Sequence, residues 1–474
     1  MTAKLHQVET GVASIERFRP LLDRDVWNAL ERDLAQVAQA MRNRVLWNVN
    51  STARGGGVAE LLASLIPYDR SAGIDERWLV IEGSPDFFKV TKKIHGMLHG
   101  VALDGVRLSA EDEHQYELVT ANNARPLLEL IHPGDVVILH DPQTMGLIPS
   151  LTERGAHVVW RSHIGVDTPN DIVRDAWKFL RPYLDTAGAC VFSRASYVWE
   201  GLDPGRVRVI APCIDPFSTK NADLDGGSVR SILHAAGVVN GANAGEASFT
   251  RNDGTRGRVT RRADMTETPL PEDSRIVLQV SRWDRLKDPA GVLDAFAEHV
   301  APNGSAWLVL AGPAATSVDD DPEQPQVLAD LNRRREQLPS TLRRRVVLAQ
   351  LPMQDGDENA AIVNALQRRA DVVVQKSVAE GFGLTVAEAM WKSRPVVASR
   401  VGGIEDQIES GTSGVLIDDP RDLAAFGRAV VDLLDDEPRA TKLGAAARAR
   451  VTHKFISPCY LIEQARLISE LAGN

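Results

Sequence analysis

The chain has 474 residues, 43% of them hydrophobic and 25% charged, with a formal net charge of −10. That length exceeds one ordinary hydrophobic core and implies two domains of roughly 200 residues each, with the composition of a folded globular protein. The acidic balance excludes a general nucleic-acid binder, which carries a basic footprint, while leaving room for a local basic pocket around a phosphate.

The first 40 residues have helical periodicity and are expected to pack on the first domain. They lack the continuous apolar stretch of a signal peptide, and no apolar run reaches the roughly 18 residues of a membrane span. The three cysteines (Cys190, Cys213, Cys459) lie far apart without CxxC spacing. They read as structural thiols in a reducing compartment. A cytoplasmic location follows by elimination.

Short β-branched runs then recur with helical stretches between them, the pattern of parallel α/β construction. In the first half they are 45–50, 78–82, 136–140, 157–160, 189–193 and 207–210; in the second, 276–281, 307–311, 346–350, 372–375, 395–399 and 414–417. Each is a mainly apolar continuous run without a sustained polar alternation, as expected of strands covered on both faces. Two Rossmann-like domains follow, placed at 1–215 and at 274–455.

Between them, 216–273 is rich in Gly, Asn and Ser and reads as a linker or mobile insertion. Its Arg251, Arg256, Arg258, Arg261 and Arg262 suit either a phosphate, a neighbouring subunit or a solvated loop. The RRR runs at 333–335 and 343–345 read as an exposed helix face. The tail 456–474 reads as an amphipathic helix, with Leu461, Ala465, Ile468 and Leu471 on one side, able to cross back to the first domain.

Three segments carry chemistry. NSTARGGGVAELL (50–62) runs from a strand through glycines 55–57 into a helix. Glycines there let backbone N–H groups approach a ligand, and the helix's positive end favours phosphate, although glycines also serve plain tight turns. It is not GxGxxG, and no acidic residue about 20 positions on completes a dinucleotide site.

VSRWDRLKDP (280–289) puts Arg282 and Lys287 at the carboxyl end of a buried strand, where open α/β sheets bind ligands. Two cations suit a diphosphate; surface ion pairing is the alternative. In SVAEGFGLTVAEAM (377–390), seven residues separate Glu380 in a loop from Glu388 on the helix it opens. Both carboxylates can accept hydrogen bonds from sugar hydroxyls; the alternative is a capping Glu380 and a solvated Glu388.

His140-Asp141-Pro142-Gln143 and Arg161-Ser162-His163 also follow candidate strands, and read as substrate contacts or as structural residues. The DGDEN stretch (355–359) contains Asp-x-Asp, a metal–diphosphate arrangement, but reads better as a helix cap. No required metal is expected, and no GxSxG, HExxH or GxxxxGK[ST] occurs.

These residues resemble those of retaining GT-B glycosyltransferases of the glycogen-synthase and sucrose-synthase type, and more closely the trehalose glycosyltransferring synthases. The resemblance extends over most of the chain, through NSTARGGGVAELL, WLVIEG with FFKVTKKIH, HDPQ, WRSHIGVD, PCIDPFSTKN, QVSRWDRLKDP, EGFGLTVAEAMWKSRPVVA and VGGIEDQI. The Arg-rich insertion at 241–268 departs from the shortest members.

The resemblance implies a GT-B fold with two parallel sheets facing across a cleft. It implies glucose transfer from ADP- or UDP-glucose to glucose, reversibly giving α,α-trehalose with retention. Carried onto this sequence, Gly56 and Gly57 would approach the donor phosphates, and Arg282 and Lys287 would neutralise the leaving diphosphate. Glu388 would hold the ribose; Glu380 with Gly381, Phe382, Gly383 and Leu384 would hold the donor glucose. His163 would sit by the donor sugar, and Asp141, Gln143 and Arg161 nearer the acceptor.

No cofactor is implied, with Mg2+ at most stimulatory. The expected partners are a nucleotide-sugar donor and a small sugar acceptor, without nucleic acid or membrane, and with room for a homodimer. A trehalose phosphorylase, making glucose 1-phosphate from trehalose and phosphate, shares the fold and most motifs. A nucleotide-sugar-binding regulator is an alternative of another class. A nicotinamide dehydrogenase is disfavoured by the missing fingerprint.

Overall fold

The computed structural model describes residues 3–53, 56–101, 107–241, 245–314 and 323–473. The chain divides into two compact units, Met1–Cys213 with Ile456–Asn474, and Ile214–Phe455.

The first unit is built on β1 (His6–Val8), β2 (Leu46–Asn50), β3 (Glu76–Val80), β4 (Val136–His140), β5 (His157–Ser162), β6 (Ala189–Phe192) and β7 (Val207–Val209). They lie in the order β1-β3-β2-β4-β5-β6-β7. All pairs are parallel except β1, which runs antiparallel to β3. Every residue of β2 and β4 is buried, which is why a run such as Val136–Leu139 is apolar throughout. Trp47, Leu139, Trp160 and Phe192 anchor the core, each contributing about 1.5–3 kcal/mol by burial.

The chain returns from β2 to β3 on one side and then adds β4 on the other. The switch point therefore falls at the carboxyl ends of β2 and β4, where such sheets open a crevice.

The second unit repeats the plan. Its strands are β8 (Ser248–Thr250), β9 (Arg256–Arg258), β10 (Asp264–Met265), β11 (Ile276–Val280), β12 (Trp307–Pro313), β13 (Val346–Leu351), β14 (Val372–Gln375), β15 (Val396–Ser399) and β16 (Val415–Ile417). The sheet order is β10-β13-β12-β11-β14-β15-β16, with β8 and β9 forming a separate hairpin. Only β10 is antiparallel in the large sheet. Here the switch point lies between β11 and β14.

The twelve apolar runs are all strands. Each sheet gains one antiparallel edge strand, β1 and β10, that the apolar pattern does not mark. Downstream of β1, the N-terminal segment is helical at Arg24–Ala40, and the C-terminal helix Ser457–Gly473 packs against it within the first unit. Leu461, Ala465 and Ile468 are buried there.

The stretch 216–273 holds a helix at Gly226–Ala235, the β8–β9 hairpin and β10, and it belongs to the second unit. Residues 242–244 of the insertion lie outside the described residues. The RRR run at 333–335 is not a uniformly exposed face. Arg335 is buried, donates to the Val346 carbonyl at 2.7 Å and pairs with Glu267. Among the described residues, no helix is long and apolar enough to cross a membrane.

Candidate active site

In the second unit, β11 ends at Val280 and the chain turns through Arg282 and Lys287 before a helix at Pro289–Ala295. Three contacts fix this turn. The Trp283 indole donates to the Pro313 carbonyl at 2.7 Å, Asp284 Oδ1 accepts from the Leu286 amide at 2.7 Å, and Gln279 Nε2 donates to the Lys287 carbonyl at 2.9 Å. Lys287 Nζ then meets Glu380 Oε2 at 2.5 Å, across the switch point between β11 and β14. Arg282 is about half exposed, with Asp284 at 3.6 Å.

The Glu380 turn is held as firmly. Ser377 Oγ donates to Glu380 Oε2 at 3.3 Å, and Gln407 Nε2 donates to the Phe382 carbonyl at 2.5 Å and to that of Gly383 at 3.3 Å. The Gly403 amide donates to the Gly381 carbonyl at 3.2 Å. Gly383 has φ +88° and opens the helix Leu384–Trp391 without a side-chain cap. The Val386 amide turns back to the Gly383 carbonyl at 2.9 Å, and the positive end of the helix lies at the Glu380 turn. Beneath the turn, buried Lys376 pairs with Asp288, which itself caps Gly291 at 2.9 Å.

Glu388 engages a different set of partners. It is 3% exposed, 3.6 Å from Lys220 Nζ and 3.4 Å from Gln367 Nε2. Lys392 lies alongside, donating to Asn221 Oδ1 at 2.9 Å. Burial pushes its ammonium down to about 7, against the opposing pull of Glu388.

In the first unit, Gly56 at φ +128° precedes the helix Gly57–Ser71, again without a side-chain cap; Gly55 lies outside the described residues. The second cluster lies at the ends of β4 and β5. Asp141 adopts φ +61°, and its Oδ1 accepts from the His163 amide at 2.8 Å while its carbonyl accepts from Trp160 Nε1 at 3.1 Å. His140 Nδ1 lies 3.0 Å from His163 Nε2. Among the described residues, the buried Gln143 Oε1 has no hydrogen-bond partner.

Arg161 is 1% exposed, so it stands behind this cluster rather than on its surface. Its Nη2 donates to the Ile210 carbonyl at 2.9 Å and its plane lies 4.9 Å from the Tyr460 ring. Burial, with the Arg161 charge beside it, drives His140 down to about 3 and His163 well below its usual value. Burial pushes Asp141 up to about 7. The cluster is thus a pair of neutral imidazoles beside a carboxyl that titrates near neutrality, suited to hydrogen-bonding hydroxyls.

The Asp-x-Asp pair serves structure. Asp355 caps the helix Gly356–Arg369, accepting from the Asp357 and Glu358 amides, and binds Arg251 in a fork at 2.9 and 2.6 Å. Arg256 pairs with Glu246 at 2.5 Å and Arg261 with Glu358, while Arg258 and Arg262 are exposed. Sequence reasoning passed over Ser377, Lys376, Asp288 and Gln407. A lysine directly after the buried run VVVQ was the available signal, since a buried cation needs a partner.

The family described as trehalose synthase, N-terminal domain, matches residues 48–199, and glycosyl transferases group 1 matches residues 260–450. The chain is 33% identical to a trehalose synthase of Rubrobacter xylanophilus over 99% of its own length and 100% of that protein. It is 27% identical to a trehalose phosphorylase of Grifola frondosa, covering 95% of this chain and 59% of the relative. Among solved structures, an α,α-trehalose-phosphate synthase (UDP-forming) from Burkholderia vietnamiensis matches with a TM-score of 0.66 at 14% identity, over 91% of this chain and 99% of the other.

Proposed function

The chain belongs to the trehalose synthase family of GT-B glycosyltransferases, and from that premise we propose that it moves glucose from ADP- or UDP-glucose to glucose, reversibly, giving α,α-trehalose with retention. One observation carries the site assignment: Lys287 and Glu380 meet at 2.5 Å at the switch point of the second sheet. A cation and a carboxylate placed there match a donor whose diphosphate needs positive charge and whose sugar hydroxyls need acceptors.

In this reading Arg282 and Lys287 stabilise charge growing on the leaving diphosphate, the largest catalytic term in such chemistry. Gly56 and Gly57 offer backbone amides to the phosphates. Glu380 and the turn Gly381–Leu384 hold the donor glucose, and Glu388 holds the ribose. His163 lies by the donor sugar, with Asp141 and Gln143 towards the acceptor. Arg161, buried against Tyr460, acts on the cluster through its charge.

The bond between the glucose anomeric carbon and the phosphate oxygen breaks. A bond from that carbon to the acceptor hydroxyl forms on the same face, and the hydroxyl proton passes to the phosphate oxygen. No enzyme nucleophile is needed. The commitment of Asp355 to helix amides and Arg251 supports a reaction without a required metal, Mg2+ being at most stimulatory.

The test is purified protein with glucose and, separately, ADP-, UDP- and GDP-glucose, with the product linkage identified by NMR. Release of nucleoside diphosphate with α,α-trehalose is expected. The similarity to a trehalose phosphorylase favours a second reading, so a parallel arm supplies trehalose and phosphate. Glucose 1-phosphate in that arm alone would replace the synthase assignment. Donor binding without product would make the chain a regulator.

A further inference from the structure

Behind His140, a line of buried polar side chains runs through the first unit. His140 Nε2 lies 2.9 Å from Asn48 Oδ1 on β2, and Asn48 Nδ2 donates to Glu76 Oε1 on β3 at 2.7 Å. The Asp69 carboxyl, on the helix Gly57–Ser71, lies in hydrogen-bonding contact with Glu76. Gln464 Nε2 of the C-terminal helix donates to Asp69 Oδ2 at 3.2 Å. Asn48, Glu76, Asp69 and His140 are each at most 4% exposed.

Buried polar groups are costly unless paired, and this row satisfies them in only one direction. Burying two carboxyls side by side raises both above their ordinary range, so the pair keeps a proton. Among the described residues, Glu76 Oε2 has no other donor, and the shared proton fills that place. Oε1 therefore remains an acceptor wherever between the two carboxyls the proton rests. That orients the Asn48 amide, whose Oδ1 must accept from His140 Nε2–H. A neutral His140 then has a bare Nδ1, which accepts from His163 Nε2–H at 3.0 Å. His163 is left with a bare Nδ1; among the described residues its hydrogen bonds run from Nε2 to His140 and from the backbone amide to Asp141, and none reaches Nδ1.

We propose that Glu76 is a positioning residue: through Asn48 and His140 it fixes His163 in the Nε2–H tautomer, so that its Nδ1 accepts a hydrogen bond from a substrate hydroxyl. Taking that hydroxyl as a sugar's rests on the trehalose-forming reading. The tautomer itself does not. Burial, with the Arg161 charge beside it, keeps both rings neutral, and the Gln464 contact ties the row to the C-terminal helix.

The experiment uses the full chain with ring-labelled histidine, read by nitrogen–proton correlation without substrate and assigned with His140→Asn and His163→Asn. Both rings are expected as neutral Nε2–H forms. Glu76→Leu should release His163 from its single tautomer and lower kcat/KM about tenfold, the size of one lost hydrogen bond. Glu76→Gln, whose oxygen can face Asn48 and whose amide can face Asp69, should restore both. Should Glu76→Leu not fold, Asn48→Leu cuts the row without leaving Asp69 unpaired. An Nδ1–H His163 in the unaltered protein, or a His163 tautomer indifferent to these substitutions, would overturn the proposal. Because the spectra need no substrate, a failed trehalose assay and a failed tautomer are separate results.

Discussion

Lys287 Nζ stands 2.5 Å from Glu380 Oε2, joining the loop after β11 to the loop after β14. Both side chains are mostly buried, so each depends on the other for compensation. Lys287→Ala removes the compact charge that the proposed reading sets against the donor diphosphate, and it leaves Glu380 without its partner. We expect kcat at saturating donor to fall by at least about tenfold, the loss for one electrostatic stabiliser of a leaving group. Unchanged turnover at saturating donor would take Lys287 out of the chemistry.

Fully buried strands were the most legible feature, because covering both faces of a parallel sheet favours apolar runs such as VVIL (136–139) and VVV (372–374). The edge strands were not legible: β1 is His-Gln-Val and β10 is Asp-Met, too short and polar to show a period. The Lys287–Glu380 meeting could be anticipated from strand-end positions. Two features depend on partners remote in sequence. Arg161 is read correctly only once Tyr460 lies across its plane, and Arg335 only once Glu267 is beside it. Asn48 carried a local signal, a polar residue inside the buried strand LWNVN. Its meaning came only with Glu76 and His140 as neighbours.

The pH dependence of stability should carry the mark of Asp141. Burial moves this carboxyl from an ordinary 3.8 up to about 7, so the folded chain keeps a proton that the unfolded chain releases in that interval. Its contribution is fully present below the lower value and lost as pH rises through the upper one. Asn keeps the shape and tolerates the positive φ, so Asp141→Asn should remove this slope. Denaturant unfolding across the interval should show the wild type losing stability relative to the variant as pH rises. His140, pushed the opposite way, is common to both proteins and cancels. A stability difference constant with pH would contradict the burial of Asp141.

Arg251 is bound in a fork by Asp355, at 2.9 and 2.6 Å, and this contact lowers the Asp355 carboxyl to about 2. A guanidinium so engaged fastens the β8–β9 hairpin to the helix Gly356–Arg369 and is not free for a phosphate. Arg251→Ala should therefore hasten proteolytic cleavage in the hairpin while leaving the donor KM and kcat at wild-type values. A donor KM that rises without faster cleavage would instead put Arg251 at the phosphate.

Gly383 is where fold and chemistry meet most tightly. At φ +88° an L-residue costs about 1–2 kcal/mol, and a Cβ there would stand 3.1 Å from Ile404 Cγ1 and 3.2 Å from Glu380 Cγ. The first cost falls on stability and the second on the position of the Glu380 carboxylate. Gly383→Ala should lower the melting temperature modestly but reduce kcat in a protein that remains folded at assay temperature. Gly383→Asn separates the two effects, because Asn enters the left-handed region more readily yet still presents a Cβ to Glu380. Stability should recover in part while activity stays low. Full activity in the Asn variant would mean that the turn does not set where Glu380 points.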